Sequence, residues 1–138
     1  MTQRSDTITF INPPALCAPP GYSHIVEVRR GRLFFIGGQA AIDAQGDLVG
    51  GDDVEAQADQ VFRNLAAALA AVGCAPCHLV KLTVFMRDMS GLSAYRQARD
   101  RFLGITTPPA APAITLVEVS KLYRDDLLIE IEAVAAAD

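Results

Sequence analysis

Basic residues are the scarce class in this chain: 12 lysines and arginines stand against 16 aspartates and glutamates, for a net charge of −4. A protein that grips a nucleic-acid backbone gains its affinity by neutralising phosphates with Lys and Arg, so no nucleic-acid partner is expected. Histidine is scarcer still, with His24 and His78 alone, which leaves little for the paired, near-neutral groups that cleave RNA by acid–base chemistry. Long apolar runs are missing too. The longest, around Leu65 to Val72, is too short and alanine-rich to span a bilayer, and the opening MTQRSDTITF lacks the apolar core of a signal peptide. The expectation is a soluble, cytoplasmic protein with no membrane partner. Three cysteines, an odd number, argue for thiols rather than a disulfide framework. No G-x-x-x-x-G-K phosphate loop is present; Gly37 and Gly38 in FIGGQA are read as allowing close backbone approach within a sheet.

What the chain does have is the balance of one globular domain, with 51% hydrophobic and 20% charged residues over 138 positions. Such a domain buries about two-thirds of its unfolded surface. One domain over 1–138 is expected, its first 20 residues a short strand (Thr7 to Ile11) and a proline-rich loop. IVEVRR and RLFFIGG around Gly31 read as a β-hairpin. From about Asp52 to Val72, Val54, Ala58, Val61, Phe62, Leu65, Leu69 and Val72 recur at helical spacing, with Asp52 or Asp53 as cap and Gly73 at the end. LVKLTVFMR follows as a strand, with Val80, Leu82, Val84 and Met86 on one face. A second helix, capped by Ser90 and closed by Gly104, turns Leu92, Tyr95 and Phe102 inward. Two strands, in PPAAPAITLVEVS and LLIEIEAVA, complete a ββαβαββ order, which predicts an α+β sandwich with two helices on one face of a mostly antiparallel sheet.

The period of two sorts the last two strands. Thr115, Val117 and Val119 with Ile129, Ile131 and Ala133 are assigned to the helix-covered side, and Ile114, Leu116 and Glu118 with Leu128, Glu130 and Glu132 to the other. That far side is too apolar for a solvent face and too charged for a monomer core. A subunit interface resolves the conflict by burying the apolar part and leaving clefts for the carboxylates.

CAPCH, Cys74 to His78, has the C-x-x-C-H form of a haem attachment site. It follows a helix rather than opening one, unlike a thioredoxin-type pair whose thiol pKa a helix N-terminus lowers. Zinc would need a fourth ligand, and only Cys17, His24 and scattered carboxylates remain. Two ordinary thiols in a connecting loop are the expectation, with no metal site. The carboxylates are the better candidates. Glu130 and Glu132 point the same way, and on an inner face each must be paired, hydrated or protonated. Lys81, Arg87 or a neighbour's arginine would be the plain partners; the functional alternative is that one of them holds a water or a developing cation in a cleft.

GYSHIVEVRRGRLFFIGGQAAIDAQGDLVG, DVEAQADQVFRNLAAALAAVG, LVKLTVFMRDMSGLSAYRQARDRFLG and PAITLVEVSKL with IEIEAVA together resemble the Rid family, the reactive intermediate deaminases also called the YjgF or endoribonuclease L-PSP family. The resemblance covers nearly everything after about residue 20. It implies a chorismate-mutase-like fold, a homotrimer around a central barrel, and three intersubunit clefts. It further implies hydrolysis of small imines or enamines to a carbonyl and ammonia, with no metal or organic cofactor. By resemblance, Glu130 matches the water-positioning glutamate, Tyr22 the aromatic residue lining the cleft, and Gly38 the backbone position beside the substrate.

The pattern departs from the family at the start of the penultimate strand. Where the deaminases read P-A-R-S-C, this chain reads Pro112, Ala113, Ile114, Thr115, Leu116. Isoleucine cannot imitate the bidentate, charge-assisted grip of a guanidinium on a substrate carboxylate. A serine near the cleft becomes Gly37, and a helix-2 asparagine becomes Arg96. The resemblance therefore leaves three readings open: an imine hydrolase for a less acidic or more apolar substrate, with Arg96 or Arg124 as a substitute anchor; a trimer that binds a small molecule without this chemistry; and an endoribonuclease, against which the charge and histidine arguments stand.

Overall fold

The computed structural model describes residues 6–107 and 109–138. Residues 1–5 of the expected N-terminal segment, and Pro108 of the proline-rich stretch, lie outside the described residues. Among the described residues six strands and two α-helices run in the order β1 (Ile8–Ile11), β2 (Ile25–Val28), β3 (Arg32–Ala40), α1 (Val54–Ala71), β4 (Leu79–Met86), α2 (Leu92–Leu103), β5 (Ala113–Glu118) and β6 (Ile129–Ala137). The main sheet has the order β3-β6-β4-β5, antiparallel except where β4 and β5 run parallel. Both helices cover one face of it, so the α+β class holds.

The apolar stripe of α1 is the reason for that layer. Ala58, Val61, Phe62, Leu65 and Leu69 are buried against Leu82, Val84 and Met86 of β4 and Ile129, Ile131 and Ala133 of β6, and α2 adds Tyr95, Ala98, Phe102 and Leu103. Asp53 caps α1 by accepting from the amides of Glu55 and Ala56 at 2.9 and 3.2 Å. Asn64, on the same helix, donates to the carbonyls of Ala40 and Ile42, both at 2.9 Å. That pair fixes the end of β3 against the helix, which matters below because Gly37 and Gly38 lie just before it.

Four expectations are corrected. First, β2 and β3 do not form a hairpin with each other: β2 pairs with β1, and β3 with β6. The chain turns at Gly31, whose φ of 97° and closeness to the Ala137 carbonyl exclude a side chain, but the turn carries it from a two-stranded ribbon into the main sheet. Second, Asp88 rather than Ser90 supplies the cap; it accepts from the Ser90 amide at 2.8 Å to start a single 3-10 turn, Met89–Gly91, that leads into α2. Third, a register shift between Leu79 and Lys81 lets Leu79 join the helix-side core, while Val80 packs on the other face with Ile8 and Ala136.

The fourth correction bears on function. Because β5 pairs in parallel with β4, Ile114 stands opposite Leu82 and Leu116 opposite Val84, so both turn to the helix side and pack against the main core. Thr115 and Val117 take the far face, with Thr83 and Phe85 as their neighbours. The expectation had these two sets exchanged. Glu130 and Glu132 do lie on the far face, opposite Phe85 and Thr83, so Ile114 and Glu130 occupy opposite surfaces of the sheet within one chain.

Candidate active site

The far face of the sheet carries two cavities, one lined by Glu132 and the other by Glu130. The first, about 470 Å³, is lined by Phe35, Gly37, Lys81, Thr83 and Glu132. The second, about 300 Å³, is lined by Phe85, Val119, Lys121, Leu122, Tyr123 and Glu130. Strand alternation accounts for both, since every second residue of β4 and β6 points into this space.

Glu130 is held by the shape of its neighbour strand. β3 bulges between Ile36 and Gln39 before Ala40 regains register with Glu130. A Cβ on Gly38 would collide with Glu130 Oε1 and come within 2.9 Å of its Cδ, so the bare backbone at Gly38 is what lets this carboxylate lie across β3. Gly37 has no such neighbour: among the described residues, its chain neighbours aside, nothing lies within 4 Å of the position its Cβ would take. The consequence is testable. Gly38→Ala folds with stability close to the parent, because the colliding atoms end a flexible side chain, but it swings Glu130 aside. Activity that depends on Glu130 then falls by about tenfold or more, as expected when a catalytic group moves by roughly 1 Å. An active Gly38→Ala variant, assayed beside its thermal melt, would show that the carboxylate's placement is immaterial.

The plain partners expected for the carboxylates are engaged elsewhere. Lys81 donates to Thr115 Oγ1 at 2.6 Å, and Arg87 to the Asp125 carbonyl at 3.3 Å. Among the described residues, neither Glu130 nor Glu132 forms an ion pair.

The remaining candidates line neither cavity. Ser23 bridges to Ala113 and donates its amide to the Pro112 carbonyl at 3.1 Å, which sets Tyr22 one residue before the bridge and Ile114 one residue after it. Tyr22 packs edge-on against His24, with ring centroids 5.7 Å apart. Arg96 is exposed on α2. Gly38 and Glu130 are thus brought into contact, with Gly37 lining the other cavity, whereas Tyr22, Arg96, Ile114 and Leu116 do not reach them within one chain.

This architecture has close parallels among known proteins. The family model described as Endoribonuclease L-PSP matches residues 13–137. The chain belongs to the endoribonuclease L-PSP family. A RutC family protein of Synechocystis sp. is 37% identical to this L-PSP family chain over 130 residues, covering 94% of it and 96% of the relative. A Salmonella typhimurium protein named 2-iminobutanoate/2-iminopropanoate deaminase is 34% identical over 132 residues, covering 95% and 97%. A crystal structure of a Rid family protein from Yersinia pestis superposes with a TM-score of 0.82 at 36% identity, covering 95% of this chain and 99% of that one.

Sequence reasoning overlooked one cation that organises the Tyr22 side of the L-PSP chain. Arg99 is only 5% exposed; it donates to Asp100 Oδ1 at 2.9 Å and to the Pro20 carbonyl at 3.3 Å. It pins the loop carrying Tyr22 onto α2. The charge pattern gave no sign of this, since arginines on helices are ordinarily exposed. Burial pushes the neighbouring Tyr95 phenol up to about 12, with the Arg99 guanidinium pulling the other way. Among the described residues the Tyr95 hydroxyl has no partner in hydrogen-bond geometry, so Arg99 acts on it through proximity.

The thiols lie apart from all this. Cys74 is buried, and burial raises its pKa, while Cys17 and Cys77 are exposed. His78 Nδ1 accepts the Ala75 amide at 2.9 Å. Among the described residues no three His, Cys, Asp or Glu side chains converge on one point that could hold a metal ion, and no helix is long and apolar enough to cross a membrane.

Proposed function

We propose that this L-PSP family chain is the subunit of a homotrimeric C=N hydrolase, which converts small imines or enamines to a carbonyl compound and ammonia without a metal or organic cofactor. The observation that carries the reading is the Glu130 carboxylate, free of ion pairs among the described residues and seated against the bare backbone of Gly38 at the wall of a cavity. The chemistry asks little more. Water adds to the carbon of a protonated C=N bond while Glu130 accepts one of its protons, giving a carbinolamine. That proton passes to nitrogen; as the C–N bond breaks, Glu130 takes the hydroxyl proton, the carbon–oxygen double bond forms, and the departing ammonia carries that proton away as ammonium. Placing the water and favouring iminium charge are tasks for one oriented carboxylate. The deaminase of Salmonella typhimurium, similar over nearly its whole length, supports this class of reaction.

The two groups of candidate residues become one site only across a subunit boundary, Glu130 and Gly38 from one copy meeting Tyr22, Arg96, Ile114 and Leu116 from the next. Support for such packing comes from the apolar residues left open on the far face: Leu33, Phe35 and Val117 are 50%, 78% and 39% exposed, and uncovered apolar patches of this kind mark interaction surfaces. They replace Ile114 and Leu116 in the interface argument made from the sequence.

Ile114, standing where the deaminases carry arginine, favours a second reading, a trimer that binds a small molecule without turning it over. The experiment that separates the two generates imines from amino acids with an amino-acid oxidase and follows their loss in competition with a trapping amine. The hydrolase accelerates the loss of at least one apolar imine and sediments as a trimer. No acceleration across a broad panel leaves the binding reading, and a lone subunit in sedimentation overturns the shared site.

A further inference from the structure

One nearly buried guanidinium takes no part in the proposed hydrolysis. Arg99 is 5% exposed, yet among the described residues its one ion pair is with the exposed carboxylate of Asp100, at 2.9 Å. A buried charge held in this way is weak evidence for stability, because desolvation offsets the attraction. Its place has to be explained by what else it touches. Beyond the Tyr95 ring, whose centroid is 5.9 Å from Cζ, the contacts of Arg99 lead to one loop. Nη2 donates to the Pro20 carbonyl at 3.3 Å, and a Cβ on Gly21 would collide with the same nitrogen and stand 3.0 Å from Cζ. Gly21 has a φ of 77° as well, so backbone conformation and the guanidinium independently exclude a side chain there.

The loop is a stiff arm joined to a fixed strand by one free residue. Pro19 and Pro20 lock φ on one side. On the other, Ser23 is fixed by its bridge to Ala113 and by the 3.1 Å bond from its amide to the Pro112 carbonyl. His24, whose ring meets that of Tyr22, is tied down too: its amide donates to Asn12 Oδ1 at 2.8 Å and its Nε2 to the Cys17 carbonyl at 2.6 Å. Gly21 keeps the widest backbone freedom of these residues, and Arg99 sits on it. We infer that Arg99 is a positioning residue, which clamps the Gly21 joint and so sets the direction in which Tyr22 presents its ring to the shared site. What Tyr22 touches rests on the shared-site reading; the order of the loop does not. Arginine suits the task because its rigid fork holds Asp100 through Nε and the Pro20 carbonyl through Nη2 at once, whereas lysine offers a single point charge.

The test reads the loop and the site separately. Backbone amide relaxation by NMR compares the native protein with Arg99→Met and Arg99→Lys, and steady-state rates are taken on the best imine of the panel. The Gly21 and Tyr22 amides have order parameters of about 0.85 in the native protein and fall below about 0.6 in Arg99→Met, while the amides of α1 and the main sheet hold; Arg99→Lys falls between. KM rises by about tenfold in Arg99→Met with kcat nearly kept, the split that marks lost binding rather than lost chemistry. Methionine is unbranched and adapts to the space the arginine stem leaves; should that variant not fold, Arg99→Lys carries the same comparison. Gly21 and Tyr22 amides as rigid in the folded variant as in the native protein overturn the clamp. Looser amides with an unmoved KM overturn the positioning role. Looser amides where the native protein hydrolyses no imine uphold the clamp and sink the hydrolase, and hydrolysis with rigid amides in the variant does the reverse.

Discussion

Replacing Glu130 with glutamine lowers kcat/KM for imine hydrolysis by about 100-fold or more, the loss expected when an oriented general base or electrostatic stabiliser is removed. Glutamine keeps the size and most of the hydrogen bonding of the side chain, so it can still lie across Gly38, but it neither accepts a proton from water nor faces an iminium with negative charge. The melt of the variant stays near that of the parent, because Glu130 makes no ion pair among the described residues and its loss unpairs no buried group. Glu132→Gln is the matched control: it sits two residues along the same face in the other cavity, where its loss leaves the rate close to wild type. Steady-state rates on the best imine of the panel decide the matter. Undiminished turnover in Glu130→Gln, or an equal loss in Glu132→Gln, removes Glu130 from the mechanism.

The largest loss of stability is expected at Gln57, which is fully buried. Its Nε2 donates to the carbonyls of Gly51 and Asp126 at 2.7 and 2.9 Å, and its Oε1 accepts the Leu128 amide at 2.9 Å. One side chain thus ties the start of α1, the last turn and the lead into β6 together. Leucine of similar volume leaves three backbone groups unsatisfied. At about 1–3 kcal/mol for each buried group left without a partner, the sum is on the order of 3–5 kcal/mol once water reaches some of them. Chemical denaturation of Gln57→Leu measures this. A cost below about 1 kcal/mol, the net worth of one ordinary hydrogen bond, would mean that the three bonds are readily replaced by solvent. Because Leu128 leads directly into Glu130, the same substitution also loosens the strand that carries the site.

Gln57 illustrates where reading by pattern stops. The stripe of α1 was legible because apolar side chains separate from water collectively, so their period survives in the sequence; a lone buried glutamine interrupts that period and looks like a surface residue until its three backbone partners, brought from distant turns, are known. Arg99 escaped for the same reason. Val80 was misassigned by one bulge, since a single extra residue exchanges the faces of what precedes it.

The sequence by itself determined the two helices and the layer they cover, the order of the strands around them, and the acidic charge balance; the pairing of the Glu130 strand with the strand that carries Gly38 came from the structure. Only the tertiary structure decided which face each end of the site occupies. Alternation tells which residues of one strand share a side, but not which side meets the helices; that depends on the neighbouring strand and its direction. Parallel pairing of β5 with β4 turned Ile114 and Leu116 inward and left the far face to Thr115 and Val117. It parted Ile114 from Glu130 within one chain.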